Sequence, residues 1–433
     1  MRITFLLHNA YAIGGTIRTT YNLAGALAER HEVEIVSMMR HRGVPRFAVP
    51  PGVRIVPLVD LRPGSTDAAL PAYREPARDF PVEDKRHHQY SRLVDLRVRE
   101  YLRGCAAEVV IGTRPGVNVY LARFGPAGAL RIAQEHLRHD AHGKALRGVL
   151  ARHYRTLDAL VTITEADAAA YRARMRLPGV PVVAVPNIVP APDVPPSDGS
   201  AKVVVAAGRL AKGKRFDLLI DAFRVVADKQ PDWRLRIYGG GAARERLQRR
   251  IDRLALADRA ALMGPRSPIE PEFAKASLLV SASDAESFGM TLVEAMRCGV
   301  PVVSTDCPLG PAEIVRDGVD GRLVPMGDGD ALAAAMLELI DDDAARRAMG
   351  AAAREGARRY DPAPIVDRYE RLFAELGTSR RRRGWQRTRA RYAASLARRR
   401  RTFLRHVRGS RPGRWLRQLR RARRARGAGG TGA

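Results

Sequence analysis

Short apolar runs rich in β-branched residues alternate with helical patterns through most of this chain. Strands that alternate with helices form βαβ units around a parallel sheet. A helix follows the first run, because Ile17, Tyr21, Ala24 and Ala28 recur on one helical face. Seven runs in the first half are predicted strands, at residues 3–7, 33–37, 54–57, 108–111, 130–134, 160–163 and 182–185. The alternation therefore predicts an α/β fold built on a parallel sheet.

A proline-rich stretch at residues 187–199 interrupts this alternation. Its Pro, Gly and Ser content is typical of an interdomain linker. The alternation then resumes, with predicted strands at residues 203–207, 235–238, 260–263, 278–282, 302–304 and 322–324. We therefore predict two Rossmann-like parallel-sheet domains, at residues 1–186 and 201–361, joined by a linker at 187–200. An amphipathic helix at 362–377 is predicted to cross back to the first domain.

Most of the excess positive charge lies at the carboxyl end of the chain. The 433 residues include 75 Lys and Arg against 46 Asp and Glu, a net charge of +29. From Thr378 onward there are 21 arginines, no lysine and no acidic residue, which leaves a net charge of +8 for residues 1–377. The charge is therefore a property of an arginine-rich tail at 378–433, and a nucleic-acid-binding surface over the whole chain is not indicated.

Apolar residues in this tail recur at helical spacing. Trp385, Tyr392, Leu396, Phe403 and Val407 would share one narrow face of a helix flanked by arginines. A basic amphipathic helix with aromatic residues is typical of binding to an anionic membrane surface. A solvated disordered tail and contact with nucleic acid are the alternatives, of which nucleic acid is the less favoured.

The remaining composition favours the cytoplasm. Cys105, Cys298 and Cys307 suggest neither a disulfide framework nor a four-ligand zinc site, and they fit a reducing compartment. The apolar run at residues 3–7 is too short for a signal peptide, and no apolar window is long enough to span a membrane. We expect a cytoplasmic protein, peripheral at the inner face of the membrane.

The strongest chemical signal is a pair of glutamates, Glu286 and Glu294, on either side of a turn that starts a helix. A helix start offers free backbone N–H groups and the positive end of the helix dipole to an anion such as a diphosphate. Glu286 would face a sugar, and Glu294 could accept hydrogen bonds from both hydroxyls of a ribose. The residues of the turn and first helical positions, candidates for binding the donor, are Phe288, Gly289, Met290 and Thr291.

The segment from Glu286 to Val303, E-S-F-G-x-x-x-x-E-A-M-x-x-G-x-P-V-V, resembles the signature of retaining nucleotide-sugar glycosyltransferases of family 4. The resemblance extends over about residues 1–376 and implies the two-domain GT-B fold. It implies that the second domain binds a UDP- or GDP-linked sugar, that the first domain binds the acceptor, and that transfer occurs in the cleft between them. The alternative is that the two glutamates only stabilise the dipole of the helix.

Residues 208–214 resemble the G-R-L-x-x-x-K-G segment of the same family, in which an arginine and a lysine bind the donor diphosphate. Gly208 and Arg209 match directly. Lys212 and Lys214 leave a choice of register, and the spacing to Arg209 favours Lys214. A solvated basic turn is the alternative.

Two features of the first domain also match the family. Gly14 and Gly15 lie between the first strand and the first helix, where glycines allow close approach of a phosphate or sugar. His136 resembles the family's histidine near the transferred sugar, although His139 is close enough to be confused with it. The alternatives are glycines that serve only the turn and a histidine that is only structural.

Two acidic features carry less specific predictions. Glu313, in a segment where this chain departs from the glycine-rich turn of many family members, is predicted to bind the sugar or to cap the following turn. The run Asp341-Asp342-Asp343 lies at a helix boundary, and a capping role is predicted there in preference to metal binding.

The resemblance implies a front-face mechanism that retains the configuration of the sugar and needs neither a metal nor another cofactor. Arg209, Lys214 and the helix-start amides would hold the departing diphosphate. We expect a hexosyltransferase acting on a cell-envelope polymer or lipid-linked glycan, with acceptor choice in first-domain loops such as the aperiodic, proline-bearing residues 60–89. The alternatives are a small acceptor such as an inositol phosphate, or a non-catalytic protein that binds nucleotide sugars or nucleic acid.

Overall fold

The computed structural model of the protein describes residues 1–379. Met1–Phe373 form one compact unit that contains two parallel sheets. Residues 374–379 are the described part of a second unit and are helical. The predicted membrane-binding face of the arginine-rich tail lies outside the described residues.

The first sheet has the strand order β3-β2-β1-β4-β5-β6-β7, and all its neighbouring strands are parallel. All seven runs predicted in the first half are strands. The largest differences are in β2 and β3, which extend further because the buried Met38, Met39 and Val59 continue the apolar pattern. The strands are β1 Arg2–Leu7, β2 Glu32–Arg40, β3 Val53–Asp60, β4 Val109–Gly112, β5 Leu130–Glu135, β6 Ala159–Thr162 and β7 Val182–Ala184.

The second sheet has the order β10-β9-β8-β11-β12-β13 and is also parallel. Its six strands match the six predicted runs. In each sheet the order reverses once, between β1 and β4 and between β8 and β11, and such switch points open a crevice at the carboxyl ends of the strands. The strands are β8 Val203–Ala207, β9 Arg234–Tyr238, β10 Ala260–Gly264, β11 Leu278–Ser281, β12 Val302–Thr305 and β13 Gly321–Val324.

Helices connect the strands of both sheets. In the first half they are α1 Gly15–Ala28, α2 Pro71–Arg74, α3 Arg92–Gly104, α4 Pro115–Phe124, α5 Lys144–Tyr154 and α6 Glu165–Arg174. In the second half they are α7 Phe216–Lys229, α8 Arg244–Arg253, α9 Glu270–Phe273, α10 Met290–Arg297, α11 Pro311–Ile314, α12 Gly329–Asp341 and α13 Asp343–Gly356. Short 3-10 turns lie at Asp67–Ala69, His87–Gln89, His139–Ala141, Lys212–Lys214 and Ala357–Tyr360.

The predicted loop at 60–89 contains α2 and two of these short turns, and it is anchored to the first domain. Phe80 is fully buried and stacks on Tyr90 with ring centroids 3.6 Å apart. The buried Asp79 accepts hydrogen bonds from Arg92 at 3.0 Å and Arg123 at 2.6 Å. The loop is irregular in sequence, but these two residues hold it firmly against the core.

Residues 362–373 are helical and contact the first domain. Tyr369 accepts a hydrogen bond from the Gln134 amide at 2.8 Å, and Arg30 forms ion pairs with Asp367 and Glu370. These contacts bring the end of the compact unit back to the first sheet. The domain and linker boundaries given above remain predictions.

Within residues 1–379, none of the helices combines the length and the apolar character that crossing a membrane requires.

Truncation of Phe80 tests whether the loop depends on its aromatic anchor. Phe80→Ala should lower the free energy of unfolding by about 3–5 kcal/mol, because it removes a fully buried ring and leaves a cavity. Val82→Ala is the matched control, since Val82 lies in the same loop and is 70% exposed. The control should change stability by no more than about 0.5 kcal/mol. Chemical denaturation measures both values, and equal effects of the two substitutions would contradict the anchoring role.

Candidate active site

A cavity of about 340 Å³ lies between the carboxyl ends of the two sheets. Its walls come from both domains and include seven predicted site residues: Gly14, Gly15, Gly208, Arg209, Met290, Thr291 and Glu294. Arg18 of α1 also lines it. A larger cavity of about 720 Å³ lies at the opposite edge of the first sheet, around the starts of β1 and β2, where open parallel sheets do not place their ligands. The smaller cavity is therefore the candidate site.

Glu294 lies near the start of α10 and is buried, 4% exposed. Its carboxylate is 3.5 Å from Nη1 of Arg18, whose other terminal nitrogen donates to Glu270 of the second domain. Burial raises the pKa of Glu294 to about 7. The nearby positive charge of Arg18 opposes this rise, and the negative charge of Glu270 adds a smaller increase. This carboxylate is held in the cavity with few partners for its charge, which suits it to accept hydrogen bonds from a ligand.

Lys214 and Glu286 form an ion pair in the second domain. The same Glu286 oxygen accepts a hydrogen bond from Ser283 Oγ at 2.7 Å. Lys212 is exposed, so Lys214 is the lysine that the short turn after β8 directs toward the motif. The structure thus brings together two of the predicted site residues that are 72 positions apart in the chain.

Arg209 is exposed at the carboxyl end of β8 and lines the cavity beside Gly208. The loop after β9 approaches this segment closely. A Cβ atom at Gly239 would lie 1.8 Å from the carbonyl oxygen of Gly208, and one at Gly241 would lie 2.4 Å from that of Leu210. The run Gly239-Gly240-Gly241 was not among the site residues predicted from the sequence. Three glycines directly after a predicted strand indicate a close approach of the backbone to another segment, and this signal could have identified the run.

The turn before α10 has the expected form. Gly289 has φ 112° at the helix start, a conformation that favours glycine, and the buried Phe288 packs edge-on against Tyr360. The N–H groups of Met290 and Thr291 belong to the first helical turn, which has no intrahelical acceptor for them. Gly310 lies against this turn so closely that a Cβ there would be 1.6 Å from the Phe288 carbonyl oxygen.

The two candidate histidines occupy different environments. His136 follows β5, is 9% exposed, and its Nε2 has no hydrogen-bond partner within residues 1–379. Burial, helped by the charge of Arg114, lowers the pKa of His136 to about 4, so its imidazole is neutral. His139 packs against Tyr171, and its backbone N–H donates to Asp167 at 2.9 Å. A ring nitrogen of each histidine, Nδ1 of His139 and Nε2 of His136, is buried without a hydrogen-bond partner within residues 1–379. The two residues differ in their contacts, since Tyr171 and Asp167 build His139 into the first domain.

Glu313 has a role that neither prediction described. Its carboxylate oxygens accept hydrogen bonds from the backbone N–H groups of Glu165, at 2.9 Å, and Ala166, at 2.7 Å, at the start of α6 in the first domain. The carboxylate thus caps a helix of the opposite domain. Asp342, in contrast, caps α13 by accepting from Ala345 N at 2.9 Å, which confirms the predicted capping role of the aspartate run.

In residues 1–379, no group of three or more His, Cys, Asp or Glu side chains is arranged to hold a metal ion.

Residues 191–356 match the family model of glycosyl transferases, group 1. The matched range contains Arg209, Lys214, Glu286 and Glu294. Residues 191–356 are therefore similar to the glycosyltransferases that this model describes.

Relatives extend the similarity beyond this range. An exopolysaccharide phosphotransferase of Streptomyces coelicolor is 35% identical over 395 residues, which cover 88% of this chain but only 41% of that protein. A phosphatidyl-myo-inositol mannosyltransferase of Mycobacterium leprae is 28% identical over 388 residues, covering 85% of this chain and 97% of the relative. The crystal structure of Anabaena HepE in complex with UDP-glucose superposes with a TM-score of 0.65 at 22% identity, covering 88% of this chain and all of that one. The predicted two-domain GT-B fold is confirmed.

The raised pKa of Glu294 predicts a pH-dependent stability. Folding raises this pKa from 4.5 to about 7, so ionisation of the buried carboxylate costs stability as the pH rises through that range. Glu294→Gln carries no such cost. Its gain in free energy of unfolding over the wild type should therefore grow by about 2 kcal/mol between pH 5 and pH 8.

Chemical denaturation at the two pH values measures this gain. Glu245→Gln is the control, because its side chain is 90% exposed and should show no pH-dependent change. An equal gain for Glu294→Gln at both pH values would contradict the conclusion that burial raises the pKa of this residue.

Proposed function

We propose that the protein is a retaining glycosyltransferase that moves a hexose from a UDP- or GDP-linked sugar to a polymer or lipid-linked glycan of the cell envelope. One observation carries this proposal. Arg209, the first-turn amides of α10 and the carboxylate of Glu294 line one cavity at the carboxyl ends of both sheets. Each group suits one feature of a nucleotide sugar. Arg209 can pair with the negative charge of the phosphates, the amides can donate to phosphate oxygens, and Glu294 can accept from ribose hydroxyls.

The ribose would bind Glu294, whose buried carboxylate can accept from two hydroxyls at once. The diphosphate would lie at the start of α10, where free N–H groups and the helix dipole favour an anion. Arg209 and Lys214 add two positive charges beside it. The cavity volume of about 340 Å³ is within the usual range for a small-molecule site.

In the reaction we propose, the bond between the anomeric carbon and the diphosphate oxygen breaks, and the acceptor oxygen bonds to the same face of the sugar. The leaving diphosphate takes the proton of the acceptor hydroxyl. Arg209, Lys214 and the amides near Gly289 stabilise the charge that develops on the diphosphate. Glu286, held by Lys214 and Ser283, would face the transferred sugar.

His136 is suited to contact the transferred sugar from the first domain. Its neutral imidazole has an unpartnered nitrogen, which can make a hydrogen bond to a sugar hydroxyl. A charged imidazolium there would repel the positive charge that forms at the anomeric carbon. The low pKa of His136 therefore supports the proposed position beside the sugar.

The relatives are named for an exopolysaccharide and for phosphatidyl-myo-inositol, which supports an envelope glycan or glycolipid acceptor. A small soluble inositol phosphate is the second candidate. We further propose that the tail at 378–433 holds the enzyme on the anionic inner face of the membrane. No resident cofactor is proposed.

Donor hydrolysis without acceptor tests the enzymatic proposal and separates it from a non-catalytic binding protein. The full chain is incubated with UDP- and GDP-linked hexoses, and release of nucleotide is followed. Slow release from one donor, with the freed sugar in its original configuration, is expected. Binding without any release would contradict transferase activity.

Two substitutions should separate donor binding from turnover. Lys214→Ala should lower turnover by roughly 100- to 1000-fold, because it removes a cation that stabilises the leaving group. Glu294→Ala should mainly weaken donor binding, by roughly 10- to 100-fold, because charged hydrogen bonds to the ribose are lost. Lys212→Ala, two positions from Lys214 and exposed, is the matched control and should leave both values nearly unchanged. Unaltered kinetics for Lys214→Ala and Glu294→Ala would remove the donor-site assignment.

Activity should not depend on a divalent metal, because cationic side chains and amides hold the diphosphate. Incubation with a chelator should leave turnover unchanged, and later addition of magnesium should not increase it. Loss of turnover with the chelator and recovery with magnesium would contradict the proposal that side chains and amides hold the diphosphate without a metal.

A further inference from the structure

A second group of cations lies on the first-domain side of the cleft and is not used by the proposed donor site. It consists of Arg86, at the end of the 60–89 loop, and Arg114, the residue before α4. β1, β4 and β5 are neighbours in the sheet, so the residues that follow them share one edge. His8, Arg114 and His136 are those residues.

A single carboxylate fixes the two arginines next to each other. Asp84 is buried, and its Oδ1 accepts from the backbone N–H of Arg86 at 2.9 Å. Its Oδ2 accepts from the backbone N–H of Gly116 at 3.2 Å, in the first turn of α4 beside Arg114. The carboxylate is therefore occupied by main-chain donors, and it ties the loop to the start of the helix.

His8 holds the side chain of Arg86. The ring Nδ1 of His8 is 2.7 Å from the hydroxyl of the buried Tyr90, and Arg86 Nη1 lies 3.4 Å from Nε2. Burial, together with the charges of Arg114 and Arg86, lowers the pKa of His8 to about 3. The neutral ring accepts from Arg86 and adds no charge of its own. Arg86 also donates to Gln89 at 3.0 Å.

Within residues 1–379, the cluster has positive charges without an ion-pair partner and buried nitrogens without a hydrogen-bond partner. Within residues 1–379, neither Arg86 nor Arg114 forms a salt bridge. Arg114 Nε is buried without a hydrogen-bond partner in that range, and so is Nε2 of His136, which is nine-tenths buried. The charges of Arg86 and Arg114 thus lie close to each other in a partly desolvated place, where unpaired charge is costly.

The cluster also faces the second domain. Burial lowers the pKa of Arg86, and the charges of Arg114 and of Arg209, across the cleft, contribute. Arg209 lines the donor cavity, so a ligand on Arg86 and Arg114 would lie near the transferred sugar on the opposite side from the nucleotide.

We propose that Arg86 and Arg114 bind a phosphate group of the acceptor, so that the enzyme takes a phosphate-bearing acceptor in preference to a neutral glycan. Paired guanidinium groups match phosphate oxygens in geometry as well as charge. The inference rests on the proposed function, since it takes the first domain as the acceptor side. The phosphate can belong to a polyol-phosphate polymer or to a lipid headgroup.

Calorimetric titration of the full chain tests this inference with sn-glycerol 3-phosphate as the probe and glycerol as the neutral comparison. The nucleotide, UDP or GDP, is present at saturation so that the donor site is filled. The wild type should bind glycerol 3-phosphate but not glycerol. Arg86→Gln and Arg114→Gln should each weaken this binding at least tenfold and leave the affinity for the nucleotide unchanged, which also reports that the variants are folded.

Arg78→Gln is the matched control, because Arg78 lies in the same loop, pairs with Glu75 and is 70% exposed. The tail arginines are present in every variant, so their contribution to phosphate binding is common to all. Equal glycerol 3-phosphate binding in the wild type, Arg86→Gln and Arg114→Gln would overturn the proposal. A tenfold loss of nucleotide affinity in both would also overturn it, since the cluster would then belong to the donor site.

Two further probes distinguish the source of the phosphate. A glycerol phosphate dimer represents a polyol-phosphate polymer, and glycerophosphoinositol represents a lipid headgroup. Tighter binding of either one, dependent on Arg86 and Arg114, supports the inference and names the acceptor class. Titrations without nucleotide report the anion site even if no nucleotide binds, so failure of the donor-site proposal is distinguishable from failure of this one.

Discussion

Parallel pairing of the strands in both sheets is the constraint on which the candidate site depends. Because every strand runs in the same direction, the carboxyl ends of all strands in a sheet lie along one edge. Residues that are far apart in the sequence, such as Gly14, Arg209 and Met290, therefore line one cavity. The switch points beside β1 and β8 separate the connecting helices, and the cavity opens between them.

Charge is distributed unevenly across this cleft. On the second domain, Lys214 pairs with Glu286, and Glu294 and Glu270 share Arg18 from the first domain. Two carboxylates on one guanidinium leave Glu294 with too little compensation for its burial, which is why its pKa rises. On the first domain, Arg86 and Arg114 have the opposite imbalance. In the proposed complex, the ribose hydroxyls of the donor would donate to Glu294, and the phosphate of the acceptor would neutralise Arg86 and Arg114.

The thirteen strands of residues 1–379 were predictable because each contains a short apolar run. In strands buried on both faces, such as β4 and β6, this run is almost continuous. The motif around Glu286 and Glu294 was visible because its chemistry is local to one strand, turn and helix. Gly239, Gly241 and Gly310 were not recognised, since what requires a glycine there is the backbone of another segment. Arg18 was missed for a similar reason, because its partner Glu270 lies on the opposite domain. Glu313 was singled out, but its capping of a helix in the opposite domain was not predicted.

The sequence by itself determined the fold class, the order of strands along the chain and the identity of the residues at the start of α10. It also determined that the excess charge belongs to the tail, because the arginines are concentrated after Thr378. Only the tertiary structure decided that Lys214 and not Lys212 meets Glu286, that burial keeps the imidazole of His136 neutral by lowering its pKa, and that Arg86 lies beside Arg114. The physical reason is that pairing of side chains depends on distances between elements, which sequence spacing does not specify.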